Sequence, residues 1–156
     1  EINPQRIAWM KEHFPQVEFI KPDDYFSLKV DVLCPCALGG ILNDKTIPLI
    51  QAKVIAGTAN NVLEDENRHG QMLLEKGIVY APDFVINAGG VINVYHEILG
   101  YNQANATREV KKIYDRLLTI FDMANKSKIT TQEAAKLFAQ DRINTVSAIH
   151  RNFIPE

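Results

Sequence analysis

Lys53-Val54-Ile55-Ala56-Gly57-Thr58-Ala59-Asn60-Asn61 decides how this chain folds. A short apolar run ends in glycine and passes directly into a turn of small and amide residues, which is how a strand in an α/β protein ends. The same order recurs on either side. Upstream, Val30-Asp31-Val32-Leu33-Cys34 leads into Pro35-Cys36-Ala37-Leu38-Gly39-Gly40, and this strand is apolar enough to be buried on both faces. Downstream, Ile78-Val79-Tyr80-Ala81-Pro82 and Asp83-Phe84-Val85-Ile86-Asn87 read as short extended pieces leading into Asn87-Ala88-Gly89-Gly90. Between these strands, Asp44 is expected to cap a short helix from Lys45 to about Gln51, and Arg68 to Lys76 forms a helix stopped by Gly77. Strands and helices alternating at such lengths imply right-handed crossovers and a mostly parallel sheet.

Farther out the pattern changes. Asn3-Pro4 reads as the cap and first position of a helix with Ile7, Met10, Lys11 and Phe14 at helical spacing, and Pro15 ends it. Val17-Glu18-Phe19-Ile20 is expected to be a short strand. Beyond Gly90, Val91 to Leu99 reads as a helix closed by Gly100. Ala104 to Lys126 is a long amphipathic helix with Val110, Ile113, Leu117, Ile120, Phe121 and Ala124 on one stripe. Thr130 with Glu133 three residues on has the capping-box pattern for a last helix, running to about His150 with Ala134, Leu137, Phe138, Ile143 and Val146 inward. The whole looks like half of a doubly wound sheet followed by a helical tail.

Composition bounds the function. Over 156 residues, 46% are hydrophobic and 23% charged, enough apolar material for a core. A net charge of −2 with scattered Lys and Arg leaves no electrostatic footprint for nucleic acid or an anionic membrane. No apolar run approaches the roughly 18 residues of a membrane span. Glu1-Ile2-Asn3-Pro4 lacks the regions of a secretory signal and an initiator Met, so the chain is expected to begin within a longer protein. Cys34 and Cys36 flank one residue, too close for an unstrained disulfide, which suits a reduced, cytoplasmic setting and a packing role.

The chemistry is expected at the three turns. In a parallel sheet the carboxyl ends of the strands share one edge, where ligands bind. Small residues let a flat or charged ligand approach the backbone, and Asn offers both donor and acceptor to ribose hydroxyls or a carboxamide. One such turn is ordinary turn chemistry; three in phase suggest a cleft. His69 and His96 lack partners at metal-ligand spacing, so no metal site is expected. Trp9 and Met10 read as partial core, Glu64-Asp65-Glu66 as a solvated approach to a helix, and Lys45, Lys53 and Lys76 as solvated.

Residues 31–40, 52–63 and 77–94 resemble blocks of the glutamate, leucine, phenylalanine and valine dehydrogenase family, most closely leucine dehydrogenase, and the run from Tyr80 to Val94 is highly specific. The resemblance implies an α/β fold: a partial Rossmann-like, doubly wound, mostly parallel NAD-binding domain followed by C-terminal helices. Residues 1–101 would be its distal half and residues 102–156 a helical segment packing back on it. It implies NAD as cofactor and oxidative deamination of an amino acid to a 2-oxo acid and ammonia. By position, Cys36, Ala37 and Leu38 match the loop over the adenosine side of the cofactor. Ala59, Asn60 and Asn61 match a loop approaching the ribose and nicotinamide, and Asn87, Ala88 and Gly89 the turn beneath the nicotinamide ring. Asn60 stands where relatives usually carry Asp, so the role of that carboxylate does not transfer. Glu1 matches the end of the second strand, where an acid accepts from the adenosine ribose and repels a 2′-phosphate.

Val91 and Val94, three apart on a helix, match the pair lining the side-chain pocket. They cannot solvate a carboxylate, so a branched apolar substrate is implied. The glycine-rich turn and the catalytic Lys and Asp of the family have no counterpart here and are expected upstream, which leaves no catalytic residue in this chain. The isolated chain is then inactive, and the missing N-terminal part of the same enzyme is its partner within a parent expected to be a homo-oligomer. Phenylalanine or valine dehydrogenase of the same family is one alternative. A truncated, non-catalytic module acting through protein contacts is another.

Overall fold

Three short strands of β-branched, leucine and tyrosine residues organise the chain. In the computed structural model, which describes residues 1–151, β1 (Val32–Leu33), β2 (Val54–Ile55) and β3 (Val79–Tyr80) pair in parallel in the order β1-β2-β3. Val32 lies opposite Val54, and Val54 opposite Val79. A parallel bridge between Leu42 and Leu63 continues the pairing of the first two segments beyond their strands. The expected parallel α/β arrangement is what forms.

The helices are α1 (Pro4–His13), α2 (Glu66–Glu75), α3 (Asp83–Ile86), α4 (Gly89–Ile98), α5 (Gln103–Ser127) and α6 (Thr131–Arg151). The Asn3 side chain caps α1 by accepting from the Gln5 and Arg6 amides. Asp65 caps α2 by accepting from Arg68 N–H, and Gly77, at φ +71°, ends it in the left-handed region that glycine enters freely. Leu42, Ile47, Ile50, Ile55 and Leu73 are at most 2% exposed and form the core around the sheet; each such side chain contributes roughly 1.5–3 kcal/mol. A second cluster of Ile120, Ala124, Ala134 and Ala135, flanked by Val85 and Phe138, joins α5 and α6 to α3. α6 is tied to the sheet through Thr131, whose hydroxyl donates to the Tyr80 carbonyl at 2.6 Å. Thr130 Oγ1 accepts from Glu133 N–H at 3.1 Å, one half of the expected capping box.

Several expectations are corrected. Residues 17–20 join no ladder, because a strand requires a neighbouring backbone and none of the described residues supplies one. β1 is not buried on both faces: Val30 and Val32 are 37% and 49% exposed while Leu33 is buried, so one side of this edge strand is bare. The segment after Asp44 forms only a 3₁₀ turn over Ile47–Leu49, and Asn43, not Asp44, accepts from the Lys45 and Thr46 amides. Residues 83–86 are helical, because Pro82 and Asp83 start a helix instead of continuing the strand. α2 begins two residues before Arg68 and α4 two before Val91, and Asp65 is a cap, not merely solvated. Leu137 and Ile143 point outward, 46% and 58% exposed, as do Val110 on α5 and Trp9 on α1. Lys76 is a clamp: its Nζ donates to the Ile47 and Pro48 carbonyls at 2.8 and 2.6 Å.

α5 ends on Lys128, at φ +55°, with Ile129 N–H bonding back to the Ala124 carbonyl. A side chain in that region is strained and glycine is not. Lys128→Gly is therefore expected to raise stability by about 0.5–1 kcal/mol, read as a higher urea midpoint at unchanged slope. An unchanged or lower midpoint would refute it.

Candidate functional site

The carboxyl ends of β1 and β2 approach each other so closely that no side chain fits between them. A Cβ on Gly57 would lie 2.0 Å from the Pro35 carbonyl oxygen. That carbonyl accepts from Ala59 N–H at 3.0 Å, and Cys34 Sγ donates to the Ala56 carbonyl at 2.8 Å. One turn farther, a Cβ on Gly39 would lie 2.6 Å from the Asn60 carbonyl oxygen, and Gly40 N–H donates to the Asn61 carbonyl at 2.7 Å. Asn61 itself sits at φ +51°, a conformation Asn tolerates better than most residues.

The third turn closes onto the second. Asn87 Nδ2 donates to Asn60 Oδ1 in a short contact and lies 3.5 Å from the Ala59 carbonyl. The remaining amide atoms, Asn60 Nδ2 and Asn87 Oδ1, have no hydrogen-bond partner among the described residues, leaving one donor and one acceptor. Asp83 underlies this junction. It is 8% exposed, and its carboxylate accepts from Val62 N–H at 2.9 Å and Phe84 N–H at 2.7 Å. The residues expected to meet at one edge, Cys36 to Leu38, Ala59 to Asn61 and Asn87 to Gly89, thus belong to turns joined by hydrogen bonds or close backbone approach. Leu38 is 81% exposed, and a Cβ on Gly89 or Gly90 would enter open space, so a flat ligand has access to the backbone there.

Two groups stand apart from this junction. Glu1 accepts from the Ile2 and Asn3 amides and pairs with Arg6 at 3.6 Å; these amide bonds, with the Arg6 charge, hold its carboxyl below the usual range. Val91 and Val94 follow on α4 and are both exposed. Two open depressions of about 500 and 420 Å³ lie elsewhere, along Gln103 to Lys111 of α5 and between Ile47 and Lys76.

The electrostatics behind the turns are local. Burial pushes the Tyr25 hydroxyl up to about 12, with the neighbouring Cys36 and Cys34 adding to it. Burial also raises Tyr80, helped by the Asp83 charge. Cys34 and Cys36 are exposed free thiols, not packed ones. His69 is buried: its Nδ1 accepts from Asp65 N–H at 2.8 Å, and its Nε2 faces Asp44 at 3.5 Å. The described residues bring together no group of three metal-ligating side chains, and no helix among them is long and apolar enough to cross a membrane. Sequence reasoning missed Asp83; the signal was its place directly after Pro82, where an acid suits the first turn of a helix.

Comparison with known proteins assigns the family. The family described as glutamate/leucine/phenylalanine/valine dehydrogenase matches residues 3–148. An L-tryptophan dehydrogenase of Nostoc punctiforme is 57% identical over 144 residues, covering 92% of this chain and 40% of its own length. A leucine dehydrogenase of Thermoactinomyces intermedius is 49% identical over 139 residues, covering 89% and 38%. The crystal structure of L-tryptophan dehydrogenase from Nostoc punctiforme superposes with a TM-score of 0.89 at 50% identity, over 93% of this chain and 44% of that one. The chain therefore spans about two fifths of the length of the relatives it matches.

Proposed function

Because the chain belongs to the glutamate/leucine/phenylalanine/valine dehydrogenase family, we propose that it is the cofactor-side part of an NAD-dependent amino-acid dehydrogenase. Residues 1–101 are the distal half of a Rossmann-like cofactor domain, and the segment from residue 102 onward packs on it through α5 and α6; residues 152–156 of that segment lie outside the described residues. The observation that carries this reading is the junction of Asn60 and Asn87, which leaves one amide donor and one amide acceptor free at the carboxyl edge of a parallel sheet.

NAD supplies the hydride acceptor for oxidation of the amino acid. The chain's own residues bind and orient. Asn60 and Asn87 offer a complementary pair to a carboxamide, with Ala59 and Asn61 beside the adjoining ribose. Ala88 and Gly89 leave room beneath a flat ring, and Cys36, Ala37 and Leu38 cover the adenosine side. Glu1 takes the adenosine ribose after giving up its bonds to the Ile2 and Asn3 amides. The general acid and base belong to a substrate domain outside these residues. The parent is a cytoplasmic homo-oligomer.

Val91 and Val94, exposed here, form the wall of the substrate side-chain pocket once that domain is in place. Two valines favour an apolar side chain, giving a branched-chain amino acid and its 2-oxo acid as the first reading. Tryptophan or phenylalanine is the second, favoured by the 57% identity to an L-tryptophan dehydrogenase and by the exposed Tyr95 next to Val94. Comparing kcat/KM of the full-length enzyme for leucine, valine, phenylalanine and tryptophan decides between them. Glutamate as best substrate would overturn both. The 156-residue chain alone is expected to form no NADH from any of these amino acids, and measurable turnover would refute the placement of the acid and base elsewhere.

A further inference from the structure

Asp83 has no part in the binding roles given above, yet it is a buried carboxylate bonded to the residue that follows Asn61. Its side chain bonds two backbone amides, and no Lys or Arg among the described residues forms an ion pair with it. One oxygen takes Phe84 N–H, which fixes the side chain against the first turn of α3. The other crosses to Val62 N–H, one residue after Asn61. The Asp83 carbonyl meanwhile accepts from Asn87 N–H at 3.0 Å. A single residue thus binds the segment carrying Asn60 and Asn61 through its side chain, and Asn87 through its backbone.

That placement has a consequence for ligand binding. Asn61 is held at positive φ, and Asn60 and Asn61 are themselves exposed. Backbone bonds from Ala59 N–H to Pro35 and from Gly40 N–H to Asn61 tie the turn to the β1 side, whereas Asp83 ties it to the segment that carries Asn87. Without the Val62 bond, a buried amide loses its partner, and the side-chain contact between the Asn60 and Asn87 amides is left as the direct tie between the two turns. We propose that Asp83 is a positioning residue for the cofactor: it sets the separation of the Asn60 and Asn87 amides so that both engage one ligand group. This rests on the NAD reading above.

The test uses the full-length enzyme. Asp83→Asn keeps one acceptor oxygen and replaces the other with an NH₂ that cannot accept from an amide; Asp83→Ala removes both. The expected result is a rise in the KM and Kd for NAD of about tenfold for Asp83→Asn, the size of one lost hydrogen bond to a charged group, and more for Asp83→Ala. The KM for the amino acid should change less than threefold. Ile120→Val is the control for stability alone. Ile120 is 1% exposed in the second cluster, so its truncation should lower the melting temperature and leave the Kd for NAD unchanged. If Asp83→Ala does not fold, Asp83→Asn carries the measurement, together with hydrogen exchange at the Val62 amide, which should accelerate. Unchanged NAD affinity in a folded Asp83 variant would overturn the proposal. A wild-type enzyme that binds no NAD would instead overturn the cofactor reading, a distinguishable failure.

Discussion

Gly57→Ala is expected to lower the melting temperature of the chain by about 10 °C. The added Cβ would sit 2.0 Å from the Pro35 carbonyl oxygen and 2.6 Å from the Pro35 nitrogen. Both are backbone atoms, so no rotamer change relieves the overlap, and one strand end must move by more than an ångström. The Ala59 N–H to Pro35 bond and the Cys34 contact with the Ala56 carbonyl then go with it. Overpacking of this kind costs about 3 kcal/mol or somewhat more, and at this chain length that corresponds to roughly 10 °C. Differential scanning calorimetry reads it directly. A shift below about 2 °C, within the effect of an ordinary surface substitution, would mean that the β1 and β2 ends are not in contact.

Asn87→Ala is expected to reduce kcat/KM of the full-length enzyme on the order of 10²-fold, while the melting temperature moves little. The separation of the two effects follows from position. Asn87 is half-buried and Asn60 exposed, so the Asn60 carboxamide left behind can turn to water. The fold therefore loses little, about 0.5–1.5 kcal/mol at most. The cofactor would lose an acceptor held in place in advance, and removing one such oriented group typically costs 10²- to 10³-fold. Asn60→Asp tests the other half of the pair. A carboxylate oxygen there still accepts from Asn87 Nδ2, but the donor that Asn60 Nδ2 offers is lost, so the KM for NAD should rise while the bond between the two turns survives. Steady-state kinetics on NAD and amino acid, with thermal unfolding of the same samples, provide the comparison. Equal activity of Asn87→Ala and wild type would remove Asn87 from the site.

Residue patterning made much of this readable. Runs such as Val54-Ile55-Ala56 before glycine identify strands, because β-branched residues suit a pleated buried surface and glycine ends it. The stripe on α5 and the Thr130 cap of α6 were legible for the same local reasons, and their Ile120 and Ala124 are buried as expected. Segment 17–20 was misread because apolar alternation reports a preference for a partner without supplying one. Segment 83–86 was misread because Phe84, Val85 and Ile86 have strand-like chemistry, whereas Pro82 and Asp83 favour a helix start.

By itself, the sequence determined the parallel α/β class, the three turns of small and amide residues, and the family to which the chain belongs, since each is written in contiguous residues. Only the tertiary structure decided that Gly57 meets Pro35, that Asn87 reaches Asn60, and that Asp83 bridges to Val62. The last of these contacts joins residues 21 positions apart in the chain. No local pattern encodes a separation of that length, because the hydrogen bond forms only after β2 and β3 are in register and bring the two turns to the same edge.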